Sequence, residues 1–161
     1  CIMSQRENLS FNAPIESDTA PLNGLIADVL AAAPDTRCFR DPTRGGLAST
    51  LNELGAQSGV DMVVSEDNVP VKDVVRGACD MLGYDVFQVA NEGKMVCIVP
   101  AEQAEAALAA MKANKYGADA AIIGRVEEAN VTRGPKVFLE TGFGTRRILD
   151  MLVGEQLPRI C

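Results

Sequence analysis

The chain has 161 residues, a length typical of one compact domain, and 47% of them are hydrophobic. Only 4% are aromatic and tryptophan is absent, so Ala, Val, Leu, Ile and Met must build the core. The net charge of -7 argues against non-specific binding to nucleic acid or to an anionic membrane surface. No apolar run approaches the ~20 residues of a transmembrane helix, and no signal peptide is recognisable.

Histidine is absent, which excludes catalytic Cys–His and Ser–His pairs and metal sites that contain histidine. Any general base must then be a carboxylate, a lysine, a tyrosine or a thiolate. The five cysteines are odd in number and form no CxxC motif, so neither a zinc ribbon nor a thioredoxin-type site is expected. Cys38, Cys79 and Cys97 each lie in an apolar stretch and are predicted to be buried thiols of a reduced, cytoplasmic protein.

Hydrophobic periodicity and the positions of Gly and Pro predict helices alternating with short strands in the first half of the chain. In chain order these are a helix that starts at 17–19, with Pro21 in its first turn, and stops before Pro34; a strand over 37–40; a loop over 41–46; a helix that ends at Gly59; a strand over 60–65; and a helix over 71–82 that ends at Gly83.

The second half of the chain is predicted to begin with a β-hairpin. Its strands are the apolar runs 86–90 and 94–99, and Gly93 lies in the turn between them. The elements after it are a helix over 102–115, strands over 120–127 and 136–140, and a tail without periodicity over 154–161. Strands with helices between them indicate an α+β or layered α/β fold around one mixed β-sheet.

The last residue, Cys161, is the first candidate for chemistry. The nine residues from Val153 to Cys161 span roughly 30 Å when extended, so a thiol at this end can travel between sites. Pro158 stiffens the segment. The negative charge of the terminal carboxylate disfavours ionisation of the Cys161 thiol, and the positive charge of Arg159 offsets this effect. From position alone, a terminal cysteine without function is the alternative. The prenylation motif CaaX is not present.

The loop Asp41–Gly46 is the second candidate. It places two glycines at the junction with a helix, where backbone N–H groups and the nearby Arg44 suit an anion. The loop is not a Walker A motif, since the GxxxxGK[ST] pattern is missing. A purely structural turn, in which Asp41 bonds the turn backbone, is the alternative.

Glu92 and the pair Arg146 and Arg147 complete the candidates. A lone acidic turn residue such as Glu92 is usually exposed and without function, yet a chain without histidine depends on carboxylates as proton acceptors. The two arginines are expected to point to opposite faces of a strand. Pairing with acidic neighbours is their default explanation, and contact with a phosphate or a partner is the alternative.

Four segments carry a family resemblance: Glu16–Asn23 (ESDTAPLN), Asp41–Leu47 (DPTRGGL), Ala90–Lys94 (ANEGK) and Leu157–Cys161 (LPRIC). Together they resemble the NiFe-hydrogenase maturation factor HypE over essentially the whole chain. The terminal PRIC is the most specific element and DPTRGG the next. The N-terminal ATP-binding domain of that family has no counterpart here. The resemblance therefore implies a single C-terminal α/β domain at 1–150 and a mobile tail at 151–161 that carries the cysteine.

The resemblance implies a fold like the C-terminal domain of aminoimidazole ribonucleotide synthetase, and it also implies a reaction. The terminal cysteine of the family, matched by Cys161, receives a carbamoyl group from the carbamoyltransferase HypF. ATP, bound with Mg mainly by the absent domain, then activates the carboxamide oxygen, and loss of phosphate and a proton leaves a thiocyanate. The nitrile passes to an iron held by the HypC–HypD complex, where it becomes a cyanide ligand of the hydrogenase. A cytoplasmic homodimer is expected.

By the same resemblance, Glu92 matches the base that removes the nitrogen protons. Arg44, Gly45 and Gly46 become candidates for contact with nucleotide phosphates or with the tail, which Pro158 and Arg159 position. Two alternatives stay open, a non-catalytic carrier that docks partners and a related ATP-dependent synthetase. Without the nucleotide domain, the chain alone is expected to fold but not to dehydrate. No resident metal, nucleic acid or membrane partner is expected.

Overall fold

The computed structural model describes residues 16–151 and contains four α-helices and six β-strands. The helices are α1 (Asn23–Ala32), α2 (Gly46–Ser58), α3 (Asp73–Leu82) and α4 (Ala104–Ala113). The strands are β1 (Cys38–Arg40), β2 (Val60–Ser65), β3 (Val96–Ile98), β4 (Gly124–Glu128), β5 (Val137–Glu140) and β6 (Arg146–Ile148). Short 3-10 turns lie at Glu66–Asn68, Val86–Gln88 and Ala101–Gln103.

Four strands form one mixed sheet in the order β4-β2-β5-β6. The central strand β2 runs antiparallel to β4 and parallel to β5, and β5 runs antiparallel to β6. Three of the four central residues of β2 are valine or methionine, which suits a strand that is buried on both faces. The expectation of an α/β domain with a mixed sheet is confirmed.

The other two strands form a separate antiparallel ladder, so the prediction of a single sheet is wrong. Strand β3 pairs with β1, with Phe39 opposite Cys97. The predicted hairpin of 86–90 with 94–99 is wrong for the same reason. The first of those runs folds into the 3-10 turn at Val86–Gln88, where the Asp85 side chain accepts a hydrogen bond from the N–H of Phe87 at 2.9 Å.

Two apolar cores hold these layers together. The larger core lies between α2 and the inner face of the four-stranded sheet, and its buried residues are Ala48, Leu51, Met62, Val64, Phe87, Val96, Val137, Leu139 and Leu149. The smaller core joins α1 and α4 through Val29, Ala33 and Ala107. Successive residues of a strand face opposite sides, so β3 contributes Val96 to the larger core while Cys97 packs against the smaller one.

Helix α1 begins later than the sequence predicts. Its N-cap is Leu22, so Ser17 and Thr19 do not cap it, and their hydroxyls bond to each other at 3.0 Å. The first helical residue is Asn23, and Pro21 precedes it. The predicted ends at Gly59 and Gly83 are confirmed, since both glycines have φ 70°, a left-handed conformation that favours glycine. None of the helices between residues 16 and 151 is long and apolar enough to span a bilayer.

Candidate functional site

Two glycines define the start of helix α2. Gly45 and Gly46 both have φ 63°, and Gly45 occupies the N-cap without a side-chain hydrogen bond to the helix. A Cβ on Gly46 would lie 2.6 Å from the carbonyl oxygens of both Phe87 and Val89. The helix start therefore packs directly against the backbone of a second segment, which only glycine allows.

That second segment leads into the turn that carries Glu92, and hydrogen bonds join the turn to the loop Asp41–Gly46. The backbone N–H of Asn91 donates to the carbonyl oxygen of Pro42 at 3.1 Å. The hydroxyl oxygen of Thr43 lies 3.5 Å from the carbonyl oxygen of Asn91. The side-chain amide of Asn91 donates to the carbonyl oxygen of Val89 at 2.7 Å. The structure thus brings together two of the candidates, the glycine loop and the turn of Glu92.

A polar cleft of about 300 Å³ opens at this loop, lined by Arg40, Asp41, Thr43, Arg44 and Thr50. The hydroxyl of buried Thr50 donates to the carbonyl oxygen of Asp41 at 3.3 Å. Arg40 pairs with Glu53 at 2.8 Å. Arg44 is exposed. The cleft therefore presents guanidinium groups beside the uncapped helix start, an arrangement that suits an oxyanion.

The surroundings of Asp41 in this cleft favour its ionised form. A hydrogen bond of 2.5 Å from the Thr43 hydroxyl lowers the pKa of Asp41 below its usual value, and the charges of Arg40 and Arg44 act in the same direction. Burial opposes this effect but does not outweigh it. The Asp41 carboxylate thus orders the loop through the side chain of Thr43, and its negative charge balances part of the positive charge of the arginines.

The other side of the Glu92 turn rests on the N-terminal segment of the described chain. Gly93 has φ 56°, and a Cβ there would collide with the carbonyl oxygen of Asp18. The ammonium group of Lys94 lies 3.0 Å from the Asp18 carboxylate. Glu92 itself is half-buried. The sequence pointed to no part in the site for Asp18, Lys94 or Asn91, although all three lie within the segments that carry the family resemblance.

The arginine pair does not join this site. Arg146 pairs with Glu127 at 3.1 Å and with Glu140 at 3.2 Å, and Arg147 lies 3.7 Å from Asp85. Their default explanation, pairing with acidic neighbours, is confirmed.

Burial affects the pKa values of two of the interior cysteines. It raises the pKa of Cys79, and it raises the pKa of Cys97 to about 11, with a smaller contribution from Cys38. Cys79 is buried, whereas Cys38 and Cys97 are half-buried, and all three are free thiols. Three residues predicted to act in chemistry or in tail positioning, Cys161, Pro158 and Arg159, lie outside the described residues.

Comparison with known proteins shows which family the chain resembles. Residues 1–134 match the family described as AIR synthase related protein, C-terminal domain. The chain is 56% identical over 160 residues to carbamoyl dehydratase HypE of Azotobacter vinelandii, and the match covers 99% of this chain and 46% of that protein. The chain thus spans about half the length of the curated relatives it matches.

Solved structures show the same likeness. A crystal structure of hydrogenase maturation protein HypE in complex with ATP matches with a TM-score of 0.90 and 45% identity, over 99% of this chain and 48% of that one. A HypE–HypF complex matches with a TM-score of 0.87 and 44% identity, over 94% of this chain and 48% of that one. The resemblance to HypE and the expected fold are confirmed. The chain belongs to the family of AIR synthase related proteins and contains the C-terminal domain of that family.

Proposed function

We propose that the chain is the C-terminal domain of a carbamoyl dehydratase of the HypE type, with a domain at 1–150 and a cysteine-bearing tail at 151–161. Its 56% identity to a carbamoyl dehydratase HypE over 99% of its length supports the assignment. The reaction is the ATP-dependent conversion of an S-carbamoyl group on Cys161 into a thiocyanate, which supplies cyanide ligands during hydrogenase maturation. The terminal cysteine is thus a tethered substrate.

The contact between the glycine loop and the Glu92 turn is the observation that carries this proposal. Dehydration of a carboxamide needs a group that takes protons from nitrogen and a group that holds the oxygen as it becomes a leaving group. Glu92 supplies the first, because its carboxylate stands on a turn bonded to the loop through Asn91 and Pro42. Arg44 and the backbone of Gly45 and Gly46 supply the second. Pro158 and Arg159 guide the tail into place.

ATP supplies the phosphoryl group that turns the carboxamide oxygen into a leaving group. Arg44 is suitably placed to contact the phosphates of ATP, because it lines the cleft beside the start of helix α2, which has no side-chain cap. Residues 16–151 contain no group of three His, Cys, Asp or Glu side chains that could hold a metal ion, although Mg²⁺ bound together with ATP needs only one or two carboxylates beside the phosphates. Because the chain resembles the HypE family and covers 46% of one relative, we assign most of the ATP and Mg²⁺ binding to an N-terminal domain of the whole protein.

The partners follow from the same assignment. HypF is the carbamoyl donor to Cys161, and a related HypE forms a complex with HypF. The HypC–HypD complex is the acceptor of the nitrile. The whole protein acts in the cytoplasm as a homodimer.

Intact mass spectrometry of the full-length protein tests this function. Incubation with the carbamoyltransferase and carbamoyl phosphate should add one carbamoyl group to Cys161, and ATP should then remove the mass of one water. A Cys161→Ser variant should take up no carbamoyl group. An adduct that never loses water would instead indicate a carrier and docking module. Absence of any adduct on Cys161 would favour another ATP-dependent synthetase of the same family.

A further inference from the structure

We propose that Asp18, Gly93 and Lys94 are positioning residues that hold the Glu92 carboxylate in place for proton removal. This inference rests on the proposed function of Glu92 as the base. It adds three residues that lie outside the glycine loop and that do not touch the reacting atoms themselves.

The backbone of the segment around Asp18 lies directly against Gly93. A Cβ on Gly93 would overlap the carbonyl oxygen of Asp18 and would lie 2.6 Å from the backbone nitrogen of Ala20. The positive φ of 56° at Gly93 also disfavours any other residue. The turn can therefore lie this close to the segment only with glycine at this position.

An ion pair between the side chains of Lys94 and Asp18 also holds the turn against the segment around Asp18. The Nζ to Oδ2 distance is 3.0 Å, and the two side chains are 53% and 38% exposed. An ion pair this exposed contributes little to the free energy of unfolding of a whole domain. Its effect is local, because it joins the residue two positions after Glu92 to a segment far away in the sequence.

The opposite side of the turn is fixed by Asn91, whose N–H donates to the carbonyl oxygen of Pro42 at 3.1 Å. Glu92 therefore stands between two anchored neighbours, one bound to the glycine loop and one packed against the Asp18 segment. A general base must lie within hydrogen-bond reach of the proton it takes. Since a misplacement of ~1 Å can lower a rate by about 100-fold, release of the Asp18 contact should slow water loss without preventing binding.

The test uses the full-length protein with Asp18→Asn, Lys94→Met and the double swap Asp18→Lys with Lys94→Asp. Carbamoylation of Cys161 and its later loss of water are followed by intact mass, with ATP varied. Each single variant should lower the maximal rate of water loss about tenfold, less than the about 100-fold that a misplacement of ~1 Å can cause, because the other contacts of the turn stay in place. The KM for ATP and the extent of carbamoylation should stay unchanged. The double swap should recover most of the rate.

Asp28→Asn is the matched control, because it neutralises a carboxylate in an equally peripheral contact of 2.7 Å between Asp28 and Asn114, which joins α1 to the end of α4. It should dehydrate at the normal rate. Gly93→Ala tests the backbone contact separately from the ion pair. It should slow water loss more than Asp18→Asn or Lys94→Met. Water loss in Asp18→Asn within twofold of the Asp28→Asn control would overturn the inference.

The failure of this inference can be told from the failure of Glu92 as the base. If Glu92→Gln blocks water loss while Asp18→Asn and Gly93→Ala lose water at the normal rate, only the positioning role is overturned. If Glu92→Gln itself loses water at the normal rate, both the positioning role and the role of Glu92 as the base are overturned.

Discussion

The hydroxyl of Thr43 donates a 2.5 Å hydrogen bond to the carboxylate of Asp41. The same hydroxyl lies 3.5 Å from the carbonyl oxygen of Asn91, so one small side chain joins the charge of the glycine loop to the turn that carries Glu92. This contact has consequences that can be measured without any substrate.

Replacement of Thr43 by Val should raise the pKa of Asp41 toward its ordinary value, because the hydrogen bond that lowers it most is lost. Loss of one hydrogen bond of this kind should also lower the free energy of unfolding by about 1 kcal/mol at neutral pH. The depressed pKa of Asp41 stabilises the folded state above the unfolded-state pKa, and this stabilisation disappears as the pH falls through the folded-state pKa. The difference in stability from the unchanged chain should therefore shrink below about pH 4.

Carboxyl titration by NMR measures the pKa of Asp41, and urea unfolding at several pH values measures the free energy of unfolding. Thr43→Ser keeps the hydroxyl and should behave like the unchanged chain. An Asp41 pKa that stays low in Thr43→Val would show that the arginine charges, not the hydroxyl, control this carboxylate.

Replacement of Gly46 by Ala should destabilise the domain by at least about 2 kcal/mol, since it combines a left-handed backbone with a backbone clash. The new Cβ would lie 2.6 Å from two carbonyl oxygens, those of Phe87 and Val89. A Cβ on Gly24, in helix α1, would meet no atom within 4 Å, so Gly24→Ala should be neutral or stabilise by up to about 1 kcal/mol. Chemical denaturation compares the two, and equal stabilities would contradict the close packing of the loop on the 87–89 segment.

Local signals in the sequence predict most of the elements but not how the strands pair. Gly59 and Gly83 end helices as predicted, because a left-handed residue at a helix end is a local requirement. The pairing of β3 with β1 is not local. An apolar run shows that a strand favours burial, but it does not identify the partner, and Val96–Ile98 pairs with a strand far earlier in the chain.

The site, like the fold, has parts that the sequence predicts and contacts that it does not. The loop Asp41–Gly46 and the turn at Glu92 are each predicted as candidates from residue types and the family resemblance. Their contact depends on the hydrogen bond from Asn91 to Pro42 and on the packing at Gly46, which join segments far apart in the sequence. Such contacts follow from the tertiary fold, so a single sequence predicts the residues and not their arrangement.

Asp61 should make the stability of the domain depend on acidity. It is 5% exposed, and its carboxylate accepts hydrogen bonds from Arg133 at 2.5 Å and from the N–H of Lys136 at 2.8 Å. The hydrogen bond from Arg133 lowers the pKa of Asp61 most, against the effect of burial. A depressed carboxyl pKa stabilises the folded state above the unfolded-state pKa, and this contribution is lost as the pH falls through the folded-state pKa.

Asp61→Asn should therefore be about 2 kcal/mol less stable at neutral pH, because a charged hydrogen bond is lost. The difference should shrink as the pH falls below about 4, where Asp61 itself becomes protonated in the unfolded chain. Thermal or urea unfolding from pH 7 to pH 3 measures this. A constant difference across the range would mean that packing, not charge, explains the loss.

The interior cysteines should react slowly with thiol reagents in the folded protein. Burial raises the pKa of Cys97 to about 11 from a usual value of 9.0, which lowers its thiolate fraction about 100-fold at a given pH below both values. Cys79 is buried and its pKa is raised as well. Maleimide labelling at neutral pH followed by peptide mapping should modify both only after denaturation. Rapid labelling of Cys97 in the folded state would contradict its packing against the smaller core.

The chain of 161 residues should fold but should not dehydrate a carbamoyl group on its own Cys161. Its described residues have two apolar cores, which favour cooperative unfolding, but the chain covers only 46% of its HypE relative, and the proposed ATP and Mg²⁺ site lies mainly in the rest of the whole protein. Phosphoryl transfer from ATP depends on a metal ion and on residues that hold the phosphates in line. Circular dichroism should therefore show a cooperative thermal transition. Intact mass of the carbamoylated chain with ATP and Mg²⁺ should show a stable adduct. The full-length protein is the positive control and Glu92→Gln the negative one, and loss of one water by the 161-residue chain alone would show that this domain holds the complete ATP site.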